Sequence, residues 1–451
     1  MFDKNNWMKQ ASIVSKVLEK APSFEKGYML PAQEFKLRQE KTWNMLKEKG
    51  YDCGIVYSDE HYCGDVPYLA GNNNIIVEPI GAVLGENGLY LMAGPESAIV
   101  AEQFCPRSGA KIRVMDILNL GTGQTDQNLN TPASIVTEAC GKIPEKIAIL
   151  SSKVFFPVGL YQELSEQLAQ TKIDDLSEDY YKIKYNKSEL ELKLIEESCR
   201  ISDIMIEAMV RILAPGLTEA QVAQWGYAVA NELGADEQGF KIMVMSGENN
   251  RTMIGRATNK IIQEGEVVSI GVAPKRDGLC GAQRVSVMCV KDKFEIPDQH
   301  TVLMEFLEGA FQFSVEEFER IVKEKLPGNT HEKSMIQYYR DREDEIGKKL
   351  EIPISQFSEL KGYVTSHNSG YTECQEMYGA LSEKFKDEIP ENIVLMMDVG
   401  LKGYGKDWSQ IRIPGLDYLV IEKTLIKEGD HVRVLNRLPV NVQDFVGEAF
   451  N

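Results

Sequence analysis

The chain has 451 residues, 43% hydrophobic and 26% charged, which excludes a disordered or fibrous polymer and allows two or three domains with their own cores. Its formal net charge of −18 argues against nucleic acid and against an anionic membrane as general partners. There is no apolar run long enough to span a bilayer, and Met1–Asn6 does not lead into a signal-peptide core. The eight cysteines are scattered as reduced thiols would be, so a cytoplasmic protein is expected.

In chain order, Glu34–Gly50 has the spacing of an amphipathic helix with Leu37, Trp43, Met45 and Leu46 on its apolar side. It leads into a short buried strand, Cys53–Tyr57. The next stretch, Tyr57–Asn74, is unusually polar and aromatic, and Asn72–Asn74 would form turns through Asx hydrogen bonds. Gly81–Leu84 and Leu89–Met92 flank Glu86-Asn87-Gly88, a hairpin signal. Lys146–Leu150 reads as another strand. Asp174–Lys187, polar with tyrosines, reads as a linker and divides the chain into residues 1–183 and 184–451.

Beyond it, a long helical pattern runs through Ile195, Ile201, Ile204 and Met209. Ala214-Pro215-Gly216-Leu217-Thr218-Glu219 ends that helix and restarts another, with Thr218 as its cap. An apolar run then closes on Ser246-Gly247-Glu248-Asn249. Ile261–Val287 reads as a Glu-Gly-Glu turn, a strand at Val267–Val272, a turn near Lys275–Gly278 and a returning strand. Leu326-Pro327-Gly328 repeats the break and restart.

In their order and spacing these motifs resemble the creatinase/prolidase/methionine aminopeptidase superfamily. Asn186-Lys187-Ser188-Glu189, the Pro-Gly-Leu-Thr-Glu break, the Ser-Gly-x-Asn loop, Thr258-Asn259-Lys260 and His367-Asn368-Ser369-Gly370 carry the resemblance, and Tyr68-Leu69-Ala70-Gly71 extends it toward the N-terminus. It implies an α+β protein: a pita-bread C-terminal domain preceded by a creatinase-type α/β domain. It also implies a homodimer, in which the Tyr57–Asn74 region of one subunit can reach the partner's active site. His61, Tyr62 and Asp65 would then define the substrate pocket.

Metal-binding members of the superfamily carry one Asp on the first strand of the hairpin and a second eleven residues later. Those slots fall on Gly271 and Ala282. The remaining slots fall on Ile254, His367, Cys374, Asp398 and, with an uncertain register, Leu416. One His and one shortened carboxylate do not make a bridged metal pair, because two nearby divalent cations need anionic oxygens between them. No metal and no cofactor are therefore expected. His367 and Asp398 are the candidate proton-transfer pair: a His titrates near neutrality, and a carboxylate on an apolar strand must be paired or functional. Arg251, Arg256 and Arg284 would bring positive charge to one cavity, and Arg284 suits a substrate carboxylate through a bidentate contact. Tyr371, Glu373, Cys374 and Glu376 follow His367 as further candidates.

Three functions are consistent with these residues. The first is metal-independent, creatinase-like hydrolysis of a C–N bond in a small carboxylate-bearing amide, amidine or dipeptide-like compound. The second is a catalytically silent pita-bread module that binds a peptide, protein or small ligand. The third is metal-dependent Xaa-Pro peptidase activity.

Overall fold

The computed structural model describes residues 3–119, 129–373 and 381–450. They group into two compact units. One comprises residues 3–28, Lys187–Ser369 and 381–450; the other comprises Met29–Asn186 together with residues 370–373. The first helix, Lys4–Leu18, thus belongs with the C-terminal portion, where Ile13, Val14 and Val17 pack in one core with Met205 and Met209.

The N-terminal unit is built on a six-stranded sheet. Its strands are β1 (Cys53–Ser58), β2 (Ile80–Gly85), β3 (Gly88–Ala93), β4 (Lys111–Val114), β5 (Lys146–Ile149) and β6 (Lys172–Asp175), in the order β4-β3-β2-β1-β5-β6. β2 and β3 form the expected hairpin, with Gly85 opposite Gly88 and Gly88 at φ +99°. That left-handed conformation costs a glycine little. The helix Ala32–Glu48 buries Glu34, Phe35, Arg38, Thr42 and Leu46, while Leu37 is exposed. Its buried stripe is therefore offset from the expected one, because Arg38 turns inward to donate to Glu34 and to the Tyr371 hydroxyl.

The expected linker is instead structured. Ser177–Lys184 is a helix, and Tyr180, Tyr181 and Lys184 are buried. Lys184 lies 2.5 Å from Asp65, and the Tyr180 hydroxyl donates to the Asp65 carbonyl at 2.8 Å. A polar-looking sequence is buried here because its charges are paired.

The C-terminal unit continues with β7 (Glu237–Gln238), β8 (Met243–Ser246), β9 (Val267–Val272), β10 (Pro274–Arg276), β11 (Leu279–Cys280), β12 (Gln283–Met288), β13 (Ser366–Asn368), β14 (Asn392–Lys402), β15 (Tyr418–Glu428) and β16 (His431–Val434). Among the described residues its main sheet runs β13-β14-β15-β12-β9-β8, with β16 also pairing with β15. Neighbouring strands in it are antiparallel. The turn between β10 and β11 places Asp277 at φ +46° and Gly278 at φ +78°, as the Asp-Gly pair suggests.

One face of this sheet is apolar. Ile270, Val285 and Val287 pack with the helix Glu189–Arg211, and Leu395, Met397, Leu419 and Ile421 pack in the cluster that holds Leu307 and Phe318 of the helix Asp298–Glu324. Each such side chain contributes about 1.5–3 kcal/mol by leaving water. The expected helix boundaries hold. Ser188 and Glu191 form a capping box at the first helix, and Thr218 and Gln221 form one at the restart. Lys325, at φ +53°, ends the helix before Leu326-Pro327-Gly328.

Candidate active site

Side chains on adjacent strands that face one another share a sheet face, as do positions two apart on one strand. In β9, β12, β15 and β14, Gly271 faces Arg284, Arg284 faces Glu422 and Glu422 faces Asp398. This row lies on the face opposite the apolar core. His367 on β13 faces Met396, two residues before Asp398, so it shares that face. The sheet therefore gathers His367, Asp398, Glu422 and Arg284, all buried, around one patch.

Arg284 is the centre of the row. Its Nη1 lies 3.2 Å from Asp398 Oδ2 and 3.5 Å from Glu422 Oε2. The same nitrogen donates to the Tyr363 hydroxyl at 3.3 Å, and Nη2 donates to the Met253 carbonyl. Burial alone would lower its pKa, but Tyr418, Asp398, Tyr363 and Glu422 reverse that and raise it well above the ordinary guanidine value. Burial, reinforced by Asp398, drives the Tyr363 and Tyr418 hydroxyls upward, so both stay neutral donors.

Gly271 is shaped to this arginine. A Cβ at position 271 would lie 2.9 Å from Arg284 Cγ and 3.5 Å from Cδ. Ala282, the other expected Asp slot, packs with Ala273, Cys280 and Met396 in a small apolar cluster. Thr424 Oγ1 accepts from the Ala282 N–H at 3.0 Å and donates to the Ala282 carbonyl at 2.9 Å.

The residues expected to form the site are distributed unequally. His367 and Asp398 lie on the same sheet face of neighbouring strands, with His367 opposite Met396. Arg284 does not reach out toward a ligand; its guanidinium is taken up by protein carboxylates. Arg251 pairs with Asp417 at 2.6 Å and Arg256 is exposed, whereas Arg284 is buried. Leu416 is a core residue in the cluster around Leu419 and Ile421, and the carboxylate of β15 that faces Asp398 is Glu422. Sequence reading missed Glu422, although a Glu inside Leu419-Val420-Ile421-Glu422 carries the same signal as Asp398 in its own apolar strand.

In the N-terminal unit, His61 is exposed and lies edge-on to Tyr62, which stacks on Phe155 at 4.2 Å. Asp65 is buried against Lys184. Tyr371 is buried and its hydroxyl accepts from Arg38 at 2.6 Å; Glu373 is also buried. Cys374 and Glu376 lie outside the described residues.

A buried Glu219 frames the site's loops. It accepts from the Ser246 N–H at 2.8 Å and hydroxyl at 2.9 Å, and from the Thr258 N–H at 3.1 Å and hydroxyl at 2.6 Å. The Asn249 amide adds a contact at 3.2 Å. One carboxylate thus ties the Ser-Gly-x-Asn loop to the Thr-Asn turn.

Residues 193–416 match metallopeptidase family M24. An X-Pro aminopeptidase from Thermotoga maritima superposes with a TM-score of 0.70 at 16% identity, covering 90% of this chain and 99% of the other. The chain belongs to the creatinase/prolidase/methionine aminopeptidase superfamily. The pita-bread fold with a preceding α/β domain agrees with the sequence reading. A prolidase from Pyrococcus horikoshii OT3 superposes at 0.67 with 14% identity, over 91% of this chain and all of that one. Among curated relatives, an uncharacterised peptidase, YqhT, of Bacillus subtilis is 21% identical over 245 residues, 54% of this chain and 63% of its own length. A Xaa-Pro dipeptidase of Pyrococcus horikoshii is 30% identical over 132 residues, 29% of this chain and 37% of its own length. The match thus spans less than two thirds of either curated relative.

The metal pair implied for this superfamily does not fit the residues present. Gly271 and Ala282 offer no side-chain oxygen, and the first is covered by the Arg284 stem. Asp398 and Glu422, which could hold a cation, already hold a guanidinium. His367 and Glu422 place possible ligand atoms within 4.8 Å of each other; an imidazole and one carboxylate would help to hold a single ion but do not bridge two.

Proposed function

We propose that this chain is a hydrolase of a C–N bond in a small carboxylate-bearing amide, amidine or dipeptide-like substrate, and that it works without a metal. The observation that carries this reading is the gathering of His367, Asp398 and Glu422 around the Arg284 guanidinium on one sheet face of an M24-type domain. The relatives' names, peptidase and Xaa-Pro dipeptidase, support a peptide-like C–N bond.

His367 is the proton carrier: it takes the proton of the attacking water and returns it to the leaving nitrogen. Asp398, fixed by Arg284, is its partner in that transfer. Tyr363 is 40% exposed, receives an N–H from Arg284 and keeps its own proton, so it can donate to the oxygen or nitrogen on which negative charge develops. Arg256, exposed, is proposed to meet the substrate carboxylate. His61, Tyr62, Tyr371 and Glu373 are proposed as recognition residues. A homodimer and a cytoplasmic location belong to the same reading. The resemblance supports the first; the seven cysteines among the described residues are buried and not joined in disulfides, which suits the second.

The test is a panel of Xaa-Pro dipeptides, N-acyl amino acids and amidino acids incubated with wild-type protein and with His367→Ala. A turned-over substrate should lose about 10²–10⁴-fold in rate in the variant while its circular dichroism stays unchanged. Turnover that survives the substitution removes His367 from the mechanism. One observation favours a second reading as a silent binding module: each charged side chain of Arg284, Asp398 and Glu422 has an ion-pair partner within the row. Thermal stabilisation by panel members with no turnover of any of them would select it.

A further inference from the structure

Glu422 and Asp398 face each other across neighbouring strands, with the whole row buried. Two carboxylates so placed repel, and in a low dielectric both stay ionised only with a cation beside them. In this chain the cation is covalent. Arg284 comes from the third strand, reaches both carboxylates through one nitrogen and lays its stem over position 271.

The absence of a side chain at 271 and the presence of Arg284 are therefore one structural change. An aspartate at 271 would begin with a Cβ 2.9 Å from the Cγ of Arg284, near the root of that side chain, where it cannot swing aside cheaply. A carboxylate at 271 and an arginine at 284 exclude each other.

We propose that the Arg284 guanidinium is a resident cation, filling between Asp398 and Glu422 the place a divalent metal ion would take and closing the site to metals. The proposal rests on the metal-independent part of the functional reading, not on the bond that is cleaved. It makes Arg284 a positioning residue and not a substrate ligand. Removing the guanidinium opens a cation site made of Asp398 and Glu422, with His367 on the same sheet face.

The experiment compares wild-type protein with Arg284→Met, which keeps an apolar stem over Gly271 and removes the charge. Both are stripped with chelator and dialysed against Mn²⁺ or Zn²⁺. Elemental mass spectrometry and melting temperature are then read. Wild type should hold no stoichiometric metal and melt at the same temperature with or without it. Arg284→Met should melt lower than wild type when stripped, take up about one equivalent, and rise by roughly 5 °C or more in excess metal. Adding Asp398→Asn to Arg284→Met should abolish that uptake.

Tight binding of a divalent ion by wild type overturns the proposal, and this measurement needs no variant. A folded Arg284→Met that takes up no metal overturns it as well. Gly271→Ala supplies a second route: it should lower the melting temperature in wild type and lower it less, or not at all, in Arg284→Ala, which removes the Cγ and Cδ that a Cβ at 271 would meet. Equal effects in the two backgrounds would contradict the exclusion between positions 271 and 284. These readouts involve no turnover, so a failed substrate panel and a failed cation test are distinguishable.

Discussion

Glu219 and Glu422 are both buried carboxylates of the C-terminal unit, yet they are held in different ways. Glu219 is met by hydroxyl, amide and backbone donors from two loops, each neutral and each fixed by its own turn. Glu422 shares one guanidinium with a second carboxylate, Asp398. Burial alone does not separate a structural carboxylate from a functional one; the nature of the partner does. A cradle of neutral donors locks two loops and has no exchangeable component. A cation held between two anions can, in principle, be replaced by another cation, and its neighbours include a histidine on the same sheet face.

The largest stability effect that sharpens this contrast is expected at Glu219. Glu219→Ala leaves the buried Ser246 N–H and hydroxyl without their acceptor, loosens the Thr258 and Asn249 contacts, and should cost roughly 3 kcal/mol or more, measured by denaturant unfolding. Added Mn²⁺ or Zn²⁺ should not restore it, unlike Arg284→Met. Restoration by metal would show that the two carboxylates are not different in kind.

A comparable effect is expected at His300, a buried base that extends the contrast to a group perturbed by desolvation. Burial lowers its pKa from 6.5 to about 4. Between those values the unfolded chain binds a proton that the folded chain does not. His300 therefore contributes its full share of stability above pH 6.5 and loses it as the pH falls through about 4. The expected loss is on the order of 3 kcal/mol over that window. His300→Phe should flatten this part of the stability profile; an unchanged slope would show that His300 is not the group responsible.

Much of the fold was legible because local chemistry dictated it. Ser188 and Thr218 cap their helices, Asn87-Gly88 makes the hairpin, and Asp277-Gly278 turns with both residues left-handed. The exceptions were places where charges are buried by pairing. Tyr180, Tyr181 and Lys184 read as linker residues but enclose Asp65. Arg38 turned a helix away from its expected face.

In the site, His367 and Asp398 were legible as a retained His and a carboxylate in an apolar strand. Glu422 was not, because Arg412-Ile413-Pro414-Gly415 obscured the register just before β15, and the family match itself ends at residue 416. The pairing of Arg284 with Asp398 spans three strands, so no spacing along the chain could reveal it. Gly271 and Ala282 were identified as departures from the metal-binding pattern. What fills their places, an arginine stem in one case and a small apolar cluster in the other, required the structure.

The most direct test of the central claim is the rate of hydrolysis of a panel substrate by wild-type protein before and after exhaustive chelation, with metal content determined on the same samples. The account predicts equal rates and no stoichiometric metal in either sample. Activity that disappears with the chelator and returns with one or two equivalents of a divalent ion would contradict it.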